Sequence, residues 1–168
     1  PEGRTFDEVM KERDPRTIRF FVDVQNKTKL ETNIQTTGML PSQNTFEARA
    51  MRIVASHFKD PKARTLLPNS FFLSELIYTS VTSLLVGEKI MMEVPTFYFP
   101  SGAGISPGDG TANHGEPDPM ATFRFAEAVP IEPNQYFKVE MFFPHDAPTT
   151  VRGAAGPLRI WAILDGYL

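Results

Sequence analysis

The chain has 168 residues, 41% hydrophobic and 22% charged, with a net charge of −3 and no cysteine. That balance describes one folded domain able to bury about 70% of its unfolded surface, and it excludes a disordered chain. It also excludes a disulfide framework, thiolate chemistry and a cysteine zinc site, and argues against a protein held to nucleic acid mainly by charge. No run approaches the roughly 18 apolar residues of a membrane span, and no secretory signal is visible. The 15 prolines and 14 phenylalanines fit many short strands joined by stiff turns.

Residues 1–16 are charged, with Phe6, Val9 and Met10 at helical spacing before Asp14-Pro15 breaks the pattern. They read as a terminal arm, either fraying or docking on a neighbouring subunit, ahead of a single domain over 17–168. The next segment, TIRFFVDVQ at 17–25, alternates Ile18, Phe20, Val22 and Val24 against Arg19, Phe21, Asp23 and Gln25. That period of two predicts a strand with one face buried. Asn26-Lys27 marks a turn, and 28–36 a second, more polar strand. After a loop around Gly38 and Pro41-Ser42-Gln43-Asn44, FEARAMRIVASHF at 46–58 starts in strand alternation and slips phase at 51–54. A β-bulge or bend accounts for the slip, although the composition also permits a helix.

A basic, proline-punctuated connection covers 59–69. From 71 to 85, Leu73, Leu76, Ile77, Val81, Leu84 and Leu85 share a helical face, with Ser70 able to cap its start and Gly87 its end. Thr79, Val81, Thr82 and Val86 are poor helix material, so the pattern predicts a short helix near 70–77 passing into a strand at 78–86. Val86-Gly87-Glu88-Lys89 then reads as a hairpin turn. The return strand ends at Pro95, and the aromatic run Phe97-Tyr98-Phe99 stops at Pro100. Residues 101–120, SGAGISPGDGTANHGEPDPM, form a long glycine- and proline-rich loop suited to contact with a partner subunit or host.

Three strands close the chain. They lie at 122–129, at 136–143 (YFKVEMFF, the cleanest alternation), and at 158–164 (LRIWAIL, with Trp161 facing away from Leu158, Ile160, Ala162 and Leu164). Asp165-Gly166 offers a final turn that leaves Tyr167 and Leu168 free to pair or dock. About eight strands with these spacings predict an all-β fold, a two-sheet β-sandwich of jelly-roll topology with its first and last strands side by side.

No catalytic or cofactor motif accompanies that scaffold. Gly102, Gly104 and Gly108 are followed by neither a Gly-Lys-Ser/Thr nor a GxGxxG spacing, so a phosphate cradle is not indicated. His57, His114 and His145 show no paired-histidine signature. His114 with Glu116 and Asp118, and His145 with Asp146, come nearest to a metal set, but such sites need three or four converging ligands. No G-x-S-x-G nucleophile turn exists, and Glu31 and Glu47 lie apart like ordinary solvated acids. No enzyme activity, cofactor or metal is therefore expected.

The aromatics are the informative feature. Phe97, Tyr98 and Phe99 are consecutive, so at least one ring must point away from the core in an extended chain. Phe20-Phe21, Phe71-Phe72 and Phe142-Phe143 raise the same problem. Burial against neighbouring subunits answers it, since large apolar patches mark interfaces.

The segments LLVGEKIMMEVPTFYFPSGAGI (84–105), IEPNQYFKVEMFFP (131–144) and LRIWAILDGYL (158–168) together resemble a strand-and-turn pattern of viral structural proteins. These are the single jelly-roll small major capsid proteins of tail-less icosahedral viruses with an internal membrane, the group infecting Thermus and haloarchaea. The likeness covers roughly the C-terminal half. It implies a virion building block, without enzyme activity, that forms capsomers with copies of itself and a larger companion capsid protein. It also implies proximity to an internal viral membrane and no direct nucleic-acid contact. The expected assembly contacts are Phe6, Val9 and Met10 in the arm and Phe97, Tyr98 and Phe99 on the flank, and serine at Tyr98 and Phe99 is expected to leave a folded monomer with weakened oligomers. The competing reading is a carbohydrate- or ligand-binding sandwich with Trp161, Tyr98 or the glycine loop as a platform.

Overall fold

The computed structural model describes residues 17–41, 43–57, 76–100, 106–107, 112–113, 120–145 and 158–168. They build an all-β sandwich. One sheet contains β1 (Thr17–Phe20), β8 (Phe137–Phe142), β3 (Val81–Val86) and β4 (Lys89–Pro95), in that order; the other contains β7 (Phe123–Ile131), β2 (Phe46–His57) and β9 (Leu158–Tyr167). All their pairings are antiparallel. A separate two-residue pair, β5 (Ser106–Pro107) with β6 (Ala112–Asn113), lies within the glycine-rich loop.

The alternation read in the sequence decides which side chains meet between the layers. Phe137, Val139 and Met141 of β8, with Leu84 and Val86 of β3, pack against Met51, Ile53 and Ala55 of β2 and Val129 and Ile131 of β7. Side chains on alternate positions must point to opposite faces, so each strand contributes one face to the core. Phe142 and Phe143 illustrate the result: the first is 42% exposed, the second 1%.

The pairings are nested. β1 pairs with β8 in one sheet and β2 with β7 in the other, so two antiparallel ribbons fold over the core together, as in a jelly roll. The last strand departs from expectation. β9 pairs with β2, from Glu47↔Tyr167 to His57↔Leu158, and not with β1. Gly87 opens the predicted hairpin turn with φ 62 while Glu88 keeps a negative φ, the pattern of a type II′ turn.

Four local expectations are revised. Residues 28–36 form turns, not a second strand, because the Glu31 carboxylate accepts both the backbone N–H (2.8 Å) and the hydroxyl (2.9 Å) of Thr28. That local capture competes with a sheet ladder. β1 ends at Phe20 because Phe21 takes φ 67, a left-handed conformation that costs an aromatic residue about 1–3 kcal/mol. Its carbonyl accepts the Gly38 N–H at 2.7 Å and its ring lies 5.3 Å from that of Phe137, which hold it there. The strand predicted over 78–86 begins at Val81, since residues 76–78 are helical; 70–75 lie outside the described residues. Asp165-Gly166 is strand, not turn, because Asp165 is held by the Arg52 guanidinium through two bonds of 2.6 and 2.8 Å.

The phase slip in the long second strand is a bulge at Arg49, two residues before the predicted place. Ala48 pairs with Val129 and Gly166, whereas Ala50 pairs with Arg124 and Asp165. Opposite Arg49, β7 places four residues, 125–128, so it swings away from its neighbour there.

Candidate functional site

The aromatic run after β4 is placed by a network of buried hydroxyls. Pro95 ends the strand, and Thr96–Tyr98 make a single 3-10 turn. The Thr96 N–H donates to Ser80 O at 3.0 Å. Thr96 Oγ1 lies 2.7 Å from both Ser80 Oγ and Thr82 Oγ1, and Ser80 Oγ lies 2.9 Å from Leu76 O. All three hydroxyl residues are buried. Buried polar groups that satisfy one another in this way specify one geometry, here the direction in which the turn leaves the sheet. Thr96→Val is expected to cost about 1–3 kcal/mol, because two buried hydroxyls lose a shared partner; the shift of the urea midpoint measures it, and a shift near zero would mean the network has no stabilising role.

From this turn the backbone crosses between the layers, and Phe99 O accepts the Ile53 N–H of β2 at 3.3 Å. The three consecutive aromatics are thereby separated. Phe97 and Tyr98 are 47% and 49% exposed, while Phe99 is 2% exposed and stands edge-on to Phe123, 5.2 Å between centroids. Phe99 is accordingly a core residue beneath the flank, not part of its exposed contact surface.

The outward rings continue in both directions. Tyr78, 70% exposed at the end of the helical turn, lies 5.6 Å from Phe97; Phe97 lies 5.1 Å from Tyr98, Tyr98 6.4 Å from Phe123, and Phe123 6.3 Å from Phe125. The result is a ladder of rings running from the edge of one sheet to β7 of the other, exposed at Tyr78, Phe97 and Tyr98 and half-buried against the core at Phe123 and Phe125. Such separations lie in the range of favourable aromatic pairs, so the exposed rings are held by their neighbours. The contribution of Tyr78 and Phe123 was not legible in the sequence, because only the fold brings the 76–78 turn and β7 beside the 97–98 pair.

Other sequence candidates are placed as follows. Phe6, Val9, Met10, Phe71, Phe72, His114, Glu116, Asp118 and Asp146 lie outside the described residues. His145 is exposed at the end of β8's following turn. The Trp161 indole N–H donates to Leu30 O at 3.2 Å, which commits its polar edge within the chain. Among the described residues no three His, Asp or Glu side chains converge as a metal set, and no helix is long and apolar enough to cross a membrane.

These observations define a β-sandwich whose most prominent surface feature, among the described residues, is a pinned aromatic ladder at its rim. Comparison with family models, characterised proteins and solved structures finds no match for the chain.

Proposed function

We propose that this chain is a structural building block of an icosahedral viral shell, acting through contacts between sandwich flanks and without enzyme activity. The observation that supports the reading best is the exposed ladder Tyr78–Phe97–Tyr98. Its rings are large, apolar and pre-ordered, so burying them against another subunit removes apolar area from water at little entropic cost. In a closed shell each contact is repeated by symmetry, and many modest interfaces sum to a stable assembly. The proposal includes copies of this chain and a larger companion capsid protein as partners. It places the protein in the virion, near an internal membrane and without direct nucleic-acid contact.

The test substitutes the outward rings and spares the inward one. Phe97→Ser with Tyr98→Ser is expected to keep the monomer's unfolding midpoint within about 1 kcal/mol of the parent, as for surface changes. It is expected to weaken self-association by at least about tenfold, since buried aromatic anchors dominate interface energies. Urea unfolding reads the first outcome and sedimentation velocity across a concentration series the second; unchanged association sinks the proposal.

The second reading, a carbohydrate-binding module, keeps Tyr98 as a stacking platform because its ring face is partly free. Trp161 suits that role less well, since its indole N–H is already engaged. A glycan-binding monomer that loses binding on Tyr98→Ser would favour this reading over assembly.

A further inference from the structure

We infer that the bulge between β2 and β7 forms a carboxylate-binding groove with Arg124 as its cation. The inference does not depend on the capsid reading. The groove is an open one of about 670 Å³, within the size range of small-ligand sites. It exists because residues 125–128 of β7 stand opposite the single residue Arg49 of β2. Bulges of this kind open a sheet and re-aim its side chains. Two of the displaced residues, Ala126 and Ala128, are small and leave the space unfilled, as does Ala50 in the facing strand.

The charges around the groove divide unequally. Arg49 donates to Glu47 Oε1 from Nη2 (2.6 Å) and Nε (3.0 Å), and its guanidinium lies 5.0 Å from the Tyr167 ring centroid. Asp165 is taken by Arg52 through two bonds. Both pairs are internally neutral. Arg124 is opposite Ala50 in the ladder, with Asp165 opposite Ala50 on the other side. Two strand spacings, about 10 Å, separate those two positions, and the alanine between them bridges nothing. The Arg124 side chain is exposed and has no hydrogen bond or ion pair among the described residues.

The groove therefore combines the unpaired Arg124 guanidinium, the Thr122 hydroxyl and the rings of Phe125 and Tyr167, with the exposed Glu127 of the same segment outside its lining. A guanidinium fork matches a carboxylate through two parallel hydrogen bonds, and the rings offer apolar surface to the body that carries it. Phe125 is also the last ring of the aromatic ladder, half-buried against the core, so its groove-facing edge is held by packing. The ligand class is a carboxylate on a short carbon skeleton, supplied either by a free dicarboxylate or by a glutamate side chain of another polypeptide.

The test uses the full chain at low ionic strength with two probes, glutarate and a blocked Glu-Ala-Glu tripeptide, followed by amide chemical-shift titration. Shifts are expected at Thr122, Arg124 and Tyr167. Arg124→Gln is expected to weaken binding by at least about tenfold, and Arg124→Lys to weaken it less, because a point charge keeps the attraction but loses the fork. Equal affinity for both probes assigns the site to free acids, and a marked preference for the tripeptide assigns it to a polypeptide. Absence of binding by either probe, or binding that Arg124→Gln leaves unchanged, overturns the inference. Arg124 lies on the surface and the folded spectrum of the variant serves as its control.

Discussion

Phe99→Ala is expected to destabilise the fold by about 3–5 kcal/mol, the usual range for truncating a buried phenylalanine. Domains of this kind have about 5–15 kcal/mol in total, so the variant should sit near the edge of folding at room temperature. The ring's own packing argues for the upper part of that range: it is 2% exposed and edge-on to Phe123, while the backbone bonds to Ile53 and Thr96 hold the segment in place and leave little room for collapse. Removing the ring leaves a void where the segment crosses between the sheets, which also releases the two outward rings from their support. Equilibrium urea unfolding followed by far-UV circular dichroism measures the effect. A loss under about 1 kcal/mol would mean that Phe99 faces outward with its neighbours. The contrast with Phe97 and Tyr98, two positions and one position away, separates folding from association within a single turn.

Gly166→Ala should produce the second large effect, of about 1–3 kcal/mol or more, by overpacking against backbone. An added Cβ there would overlap Glu47 O and come within 2.8 Å of Glu47 C and 3.0 Å of Ala48 Cα. None of these atoms can rotate away. The β2–β9 pairing must part at the bulge, and the Arg49 guanidinium must leave the Tyr167 ring. Amide hydrogen exchange is expected to rise at Tyr167 and Glu47 while β8 and β3 stay protected, since those strands belong to the other sheet. Uniform exchange across both sheets, or no change at all, would contradict this account.

Much of the scaffold was legible because alternation is a local property. YFKVEMFF declares β8 with no help from the rest of the chain, and Gly87 declares its hairpin turn through the dihedral it alone adopts cheaply. The phase slip read at 51–54 likewise announces a bulge in β2, though two residues beyond its place at Arg49 and without showing what faces it. Residues 28–36 misled because β-propensity describes a half-buried pleated surface, and here Glu31 satisfies the backbone locally. Asp165-Gly166 misled for the opposite reason. Its turn chemistry is sound locally, but the partner that makes it strand is Arg52, 113 residues away.

The candidate surface divides along the same line. That one of three consecutive aromatics must turn outward follows from the chain alone; which ones do so depends on a turn held by Ser80, Thr82 and Thr96. What the amino-acid order determined by itself was a two-faced β chain, with its strands, its apolar faces and the excess of rings over core positions. Only the tertiary structure decided the neighbours: β9 beside β2, Tyr78 beside Phe97, and Arg124 without a counter-ion among the described residues while Arg52 holds Asp165. The physical reason is range. Side-chain direction is set by one residue's backbone geometry, whereas pairing, burial and charge balance depend on groups that meet only after the chain has closed on itself.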